Sequence, residues 1–163
     1  MNIAAIILAA GKGTRLNSSL PKPLHNIGGQ PMFGWSLDAA TAANSVPIIT
    51  VLPPNSEQIQ TWLDGRNFCI QERPLGTGHA VLAAKPALQE FDGVALIMFA
   101  DTPLVAANTL TKLAATVNDT TSIAVLGFEA ANPTGYGRLV TNQQQQLMQI
   151  IEHEEASHEE RQI

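Results

Sequence analysis

Apolar runs of strand length alternate with stretches of helical period along most of the chain. Residues 3–8 form a continuous Ile/Ala/Leu run, the pattern of a strand covered on both faces. Residues 32–43 carry apolar positions at helical spacing, with good helix formers at Leu37, Ala39 and Ala40, and predict a helix. Pro47 introduces a second strand at 48–52, closed by Pro53 and Pro54. Ser56 with Glu57 predicts a capped helix through Leu63. Further on, 68–71 predicts a third strand and 78–88 an Ala-rich helix disturbed near Pro86. The most apolar strand falls at 94–99, a helix at 106–117 and a fifth strand at 122–128. A Pro/Gly turn region at 132–137 leads into short strands at 138–140 and 147–151, with the glutamines of 143–146 at a hairpin tip.

Strands alternating with helices imply right-handed βαβ units. The expected fold class is therefore α/β, a mostly parallel sheet with helices on both faces. In such open sheets ligands sit beyond the carboxyl ends of the strands. The segments after Leu8, Gln71, Phe99 and Ile151 are where chemistry is expected.

Composition sharpens this. A hydrophobic fraction of 45 % with only 14 % charged residues excludes a disordered chain. The single cysteine, Cys69, excludes a disulfide framework and a cysteine-rich zinc site, and fits a reducing, cytoplasmic setting. A net charge of −5 argues against a nucleic-acid surface. That charge is unevenly placed. Five glutamates against one arginine in residues 152–163 supply −4, and nine acids against eight bases elsewhere leave −1. The apolar N-terminal run lacks a preceding positive charge and is too short to span a bilayer, so a buried strand and no membrane association are expected. Cys69, Trp35 and Trp62 are expected in the core, and His153, His158 and the glutamates after Glu152 on a solvated face.

Four segments carry candidate chemistry. The first strand runs into Gly11-Lys12-Gly13-Thr14-Arg15, where glycines let amides approach an anion and Arg15 offers a forked cation. Neither a Walker A loop nor a dinucleotide fingerprint fits, since Leu16 stands where the latter needs glycine. Pro21 and Pro23 stiffen the backbone around Lys22. Gly76 and Thr77, near a helix start, offer amides to a base or a phosphate. Asp101, at the end of a buried strand, suits Mg²⁺, which takes one or two carboxylates plus substrate phosphates. Each has a plainer reading: a tight turn, an exposed loop lysine, a helix cap at Thr77, a turn before Pro103. His79 alone reads as a helix-start residue, while Glu152, after an apolar run, sits at a strand end.

Together these pieces resemble one family. Residues 8–15 (Leu-Ala-Ala-Gly-Lys-Gly-Thr-Arg), followed by Pro-Lys-Pro-Leu-His at 21–25, resemble the signature of sugar-nucleotide pyrophosphorylases. Leu-Gly-Thr-Gly-His-Ala at 75–80, Pro-Thr-Gly-Tyr-Gly-Arg at 133–138 and Ile-Ile-Glu-His at 150–153 narrow it. They are similar to the uridylyltransferase domain of the bacterial bifunctional N-acetylglucosamine-1-phosphate uridylyltransferases/glucosamine-1-phosphate acetyltransferases. The resemblance spans the whole chain and implies a Rossmann-like, GT-A-like nucleotidyltransferase fold.

It also implies roles. Leu8, Ala9, Ala10 and Gly11 would line the nucleotide. Arg15 and Lys22 would be the catalytic cations. Gln71, Gly76 and Thr77 would contact uracil. Phe99, Ala100 and Asp101 would hold nucleotide and sugar, with Asp101 a Mg²⁺ ligand, and Gly137 and Glu152 would meet the N-acetylglucosamine. The implied reaction is attack of the sugar-1-phosphate oxygen on the α-phosphorus of UTP, releasing pyrophosphate. The implied setting is cytoplasmic supply of peptidoglycan and lipopolysaccharide precursors.

Two departures matter. Ala100 stands where the family usually has glycine. The family's domain also continues beyond the position of Ile163, through an asparagine, a second metal ligand and a trimer-forming β-helix acetyltransferase domain. Residues 1–163 are therefore expected to be a partial nucleotidyltransferase domain. The alternatives are a non-catalytic nucleotide-binding module, or a transferase making another sugar nucleotide or a molybdenum-cofactor dinucleotide.

Overall fold

The computed structural model describes residues 1–11, 13 and 16–163. It divides into two compact units, 1–124 and 125–163.

The first unit is built around β1 (Ile3–Leu8), whose Ile-Ala-Ala-Ile-Ile run is buried throughout. After it come a 3₁₀ turn (Lys22–Leu24), a short hairpin of β2 (Asn26–Ile27) and β3 (Gln30–Pro31), and α1 (Met32–Ala42). Then follow β4 (Ile48–Leu52), α2 (Glu57–Leu63), β5 (Phe68–Ile70), α3 (Thr77–Ala84), β6 (Val94–Phe99) and α4 (Ala107–Ala115). The sheet is fully parallel, in the order β5-β4-β1-β6.

Alternation along the strands sends side chains to two cores. Ile3, Ala5 and Ile7 of β1, with Leu52, Leu96 and Met98, meet Phe33 and Leu37 of α1, Ile59 and Leu63 of α2, and Leu110 of α4. Ile6, Ile49 and Val51 point the other way and meet Ala80 and Ala84 of α3. Alanines on α3 let its backbone approach the sheet closely. Helices thus lie on both faces, and β1 and β4 are covered on each, but β6, expected to be buried, leaves Ala95, Ile97 and Phe99 exposed on the face opposite the larger core. Each fully buried aliphatic side chain contributes about 1.5–3 kcal/mol, so β1 carries much of the fold's stability.

The register aligns the strand ends. Leu8 pairs with Val51 on one side and Phe99 on the other. The ladder then runs one step further. Ala100 N–H donates to Leu8 C=O at 3.0 Å, Ala9 N–H to Val51 C=O at 2.9 Å and Gln71 N–H to Leu52 C=O at 2.8 Å. Three loops therefore leave the sheet at one level, on its carboxyl side.

In the second unit, β7 (Arg138–Thr141) and β8 (Leu147–Ile151) form an antiparallel hairpin whose tip holds the glutamine run. Asn142 organises that tip: its Oδ1 accepts from the amides of Gln144 and Gln146.

Several expectations need correction. Residues 122–128 form no strand. A strand needs a partner edge as well as β-forming residues, and the sheet stops at β6; Ile123 is left 76 % exposed. Phe128 instead stacks edge-on against Tyr136, 5.1 Å between ring centres, within the second unit. Ser56 precedes α2 but its hydroxyl does not cap it; Oγ accepts from the Gln60 amide at 3.2 Å. Trp35 is half-exposed rather than core, and its indole N–H donates to Ile27 C=O at 2.7 Å, pinning the β2–β3 hairpin. Trp62 packs on Phe33 at the margin of the larger core. His153 is partly buried rather than solvated, with Nδ1 enclosed. Glu160 is engaged in a reciprocal pair with Ser157.

Candidate functional site

A cavity of about 700 Å³ opens on the carboxyl side of the sheet in the first unit. Its volume is in the range of small-ligand sites. Leu8, Ala9, Ala10 and Gly11 leave β1 along one wall; Gln71 and Gly76 come from the loop after β5 and Thr77 from the start of α3; Phe99, Ala100 and Asp101 come from the end of β6. Lys22 enters from the 3₁₀ turn. Eleven sequence-predicted residues thus share one cavity. Arg15, the other expected cation, lies outside the described residues.

The local chain explains these positions. Gly13 lies against Lys22: a Cβ there would come within 2.7 Å of the Lys22 Cβ, so only glycine lets the loop close on the lysine. Pro21 and Pro23 bracket Lys22, and Leu24 N–H donates to Pro21 C=O at 2.9 Å. Lys22 Nζ donates to Asp101 Oδ2 across the cavity. Both side chains keep partial access to solvent, at 28 % and 41 % exposure, so the pair is open to exchange for a ligand.

Asp101 is aimed by its neighbours. The Phe99 C=O accepts three hydrogen bonds: from the Ser36 hydroxyl at 3.1 Å, the Thr102 hydroxyl at 3.0 Å and the Thr102 amide at 3.3 Å. Ser36 lies on α1 and is almost fully buried, so the end of β6 is tied to the helix beneath it. Ala100 is 2 % exposed and belongs to the larger core. The methyl that distinguishes it from glycine is accommodated there.

Gln71 is buried at the cavity wall. Its amide nitrogen contacts Gly76 C=O and His79 Nδ1, each at 3.1 Å. Gly76, at φ +99°, is the N-cap position of α3, so the cap falls there and not at Thr77. The positive φ turns the chain into the helix in a conformation that glycine adopts without strain. Cys69, next to this wall, has its thiol pKa raised above the ordinary 9.0 by burial. It packs against the smaller core, and the raised pKa disfavours its thiolate.

Sequence reasoning missed Pro23, Pro74 and Ala80 in the lining and Ser36 and His79 behind it. The Pro-Lys-Pro run signalled Pro23. Ser36 had no local signal, because its partner is 63 residues away.

Gly137 and Glu152 lie in the second unit and adjoin each other: a Cβ on Gly137 would sit 3.7 Å from Glu152 Oε2. Glu152 lines a cavity of about 320 Å³ with Gly135 and His153–Glu155. Arg138 is the buried pin of this unit. Its guanidinium donates to the carbonyls of Pro133, Tyr136 and Arg161 at 2.6–3.1 Å and holds the 133–137 loop.

An open parallel sheet with a glycine turn, a lysine–aspartate pair and helix-start amides at its carboxyl edge defines a nucleotide-binding α/β protein. The chain belongs to the MobA-like NTP transferase domain family, whose family model matches residues 5–161. It is 46 % identical over 161 residues to the bifunctional protein GlmU of Parvibaculum lavamentivorans, covering 96 % of this chain. The chain spans about 35 % of that relative's length. Among solved structures, Rv0371c of Mycobacterium tuberculosis H37Rv aligns over 71 % of this chain and 60 % of its own, with a TM-score of 0.62 at 24 % identity. A manganese complex of the same protein aligns over 69 % and 58 %, with a TM-score of 0.53 at 25 % identity. A nucleotidyl transferase from Methanothermobacter aligns over 70 % and 57 %, with a TM-score of 0.58 at 20 % identity. These likenesses agree with the fold described above. Among the described residues, no helix is long and apolar enough to cross a membrane.

Proposed function

We propose that this chain carries a uridylyl-transfer site that joins UTP to N-acetylglucosamine-1-phosphate, giving UDP-N-acetylglucosamine and pyrophosphate. The observation that carries the reading is the convergence of three strand ends and Lys22 on one cavity. The GlmU likeness supports the choice of substrates.

In this reading the Leu8–Gly11 turn receives the nucleotide against its backbone amides. Gln71, Gly76 and Thr77 take the uracil edge. Lys22, with Arg15, neutralises the phosphates as an oxygen of the sugar-1-phosphate bonds to the α-phosphorus. The bond from that phosphorus to the bridging oxygen breaks, and pyrophosphate leaves with the electron pair. The nucleophile is already an anion, so no general base is needed. Positioning and charge neutralisation supply the catalysis.

A divalent ion fits the donor set. Asp101 offers one partly exposed carboxylate at the cavity. Among the described residues no group of three or more His, Cys, Asp or Glu could hold a metal. One carboxylate plus substrate phosphates is a usual Mg²⁺ environment, and an all-protein cage is not required. The manganese complex of Rv0371c gives a precedent for divalent metal on this fold. Bound there, Mg²⁺ would offset phosphate charge, and Lys22 would be released from Asp101 toward the nucleotide. Gly137 and Glu152 are assigned to the sugar.

The test is pyrophosphate release from UTP, Mg²⁺ and N-acetylglucosamine-1-phosphate, with CTP, dTTP and glucose-1-phosphate alongside. Preference for UTP and the N-acetyl sugar supports the assignment. Preference for another pair would move the chain to a different sugar-nucleotide chemistry. Saturable UTP binding without release would assign it nucleotide capture alone.

A further inference from the structure

Resting on that reading of the cavity, we propose that His79 sets base specificity. Together with the Gly76 carbonyl, it locks the Gln71 amide so that the cavity presents an acceptor to the nucleobase and admits pyrimidines carrying an N3–H, uracil and thymine, over cytosine.

The argument starts from what an amide can do. Gln71 has one group with two hydrogens to donate and one oxygen that only accepts. Its nitrogen lies 3.1 Å from the Gly76 carbonyl oxygen. A backbone carbonyl cannot donate, so the flipped amide would set oxygen against oxygen. Gly76 therefore fixes which end of the amide faces the α3 side.

The second hydrogen goes to His79 Nδ1, also at 3.1 Å. An NH₂ group offers no lone pair to an N–H, so Nδ1 must be the bare nitrogen and the imidazole proton sits on Nε2. His79 is on the first turn of α3 and Gln71 follows β5, so helix and strand end jointly clamp the amide. Both hydrogens are spent inside the protein. What remains for a ligand is Oε1, which receives no hydrogen from any described residue.

Gly76 and Thr77 also line the cavity, and their amide hydrogens are unpaired among the described residues. The wall thus combines one acceptor with backbone donors. The pairing edge of uracil is its complement, an N3–H between two carbonyl oxygens. Cytosine presents a bare N3 and an amino group there. Its N3 would meet Oε1 lone pair to lone pair.

His79 touches Gln71 and need not touch substrate, so it is a positioning residue. Its role is separable from mere packing. His79→Phe keeps a ring but removes the acceptor, leaving one Gln71 hydrogen facing carbon. His79→Asn restores an acceptor oxygen near the place of Nδ1. UTP and CTP, each with Mg²⁺, are titrated calorimetrically into the full chain and both variants. The wild type should favour UTP. His79→Phe should narrow the UTP-to-CTP affinity ratio by about tenfold, the scale of one hydrogen bond, and His79→Asn should recover most of it. An unchanged ratio in His79→Phe, equal losses for both nucleotides, or no recovery in His79→Asn would overturn the assignment to His79 while leaving the nucleotide site standing. If the wild type binds neither nucleotide, the reading of the cavity fails and this inference with it.

Discussion

Lys22 and Asp101 are 79 residues apart in the chain and meet at the mouth of the cavity. Neither is held by its own segment alone. Lys22 depends on Gly13 and two prolines, and Asp101 on the clamp at the Phe99 carbonyl. The buried Ser36 hydroxyl is the one member of that clamp contributed by another element. Ser36→Ala should cost about 1 kcal/mol of stability by denaturant melting, the net value of one hydrogen bond. It should lower the metal dependence of nucleotide binding more than its affinity for the base, because Asp101 shifts while Gln71 does not. Residue types announced much of this site: two glycines after a strand, a lysine between prolines, an aspartate at a strand end. Ser36 and His79 were not legible. Their contribution is a hydrogen bond to a partner that folding brings near, and no spacing rule encodes it.

At the scale of elements, β1 decides the fold. Ile7 is fully buried in the larger core, between strands on either side. Ile7→Ala should cost about 2–5 kcal/mol, measured by chemical unfolding, whereas Ala at the 76 %-exposed Ile123 should change little. The buried strands were legible because a parallel strand covered on both faces must be continuously apolar. Residues 122–128 carry a similar apolar signal and fail as a strand, because no edge pairs with them. The β2–β3 hairpin has its signal in Gly28-Gly29 between short runs, not in the strand–helix alternation, because its strands are only two residues long.

The last turn shows the same lesson in charge. Ser157 and Glu160 form a capping box: Ser157 N–H donates to Glu160 Oε2 at 2.8 Å and Glu160 N–H to Ser157 Oγ at 3.2 Å. The Ser-x-x-Glu spacing is in the sequence, but it was submerged in a run of acids. The backbone bond from Ser157, with its side chain, lowers the Glu160 pKa below the ordinary 4.5. A lowered folded-state pKa means the stabilising contribution is present above the unfolded value and fades as pH falls through the folded one. The Glu160 carboxyl should titrate below 4.5 by NMR, and Ser157→Ala, which removes the hydroxyl but keeps the backbone N–H, should raise it only part of the way back.

For the whole molecule, the parallel sheet and the cavity holding Lys22 and Asp101 belong to the first unit, and the hairpin with Gly137 and Glu152 to the second. The net charge of −5 gathers in the last turns, whereas the cavity pairs Lys22 with Asp101. The family match, over residues 5–161, takes in both units. The central claim is that this cavity binds a uridine nucleotide through Lys22 and a divalent ion. Its most direct test is titration of UTP into the full chain with and without Mg²⁺, beside Lys22→Ala. The account predicts saturable, Mg²⁺-dependent binding that Lys22→Ala weakens by at least about tenfold, the scale of one charge-assisted contact. Absence of saturable binding up to about 1 mM UTP, the top of the usual substrate range, or equal binding by Lys22→Ala, would contradict it.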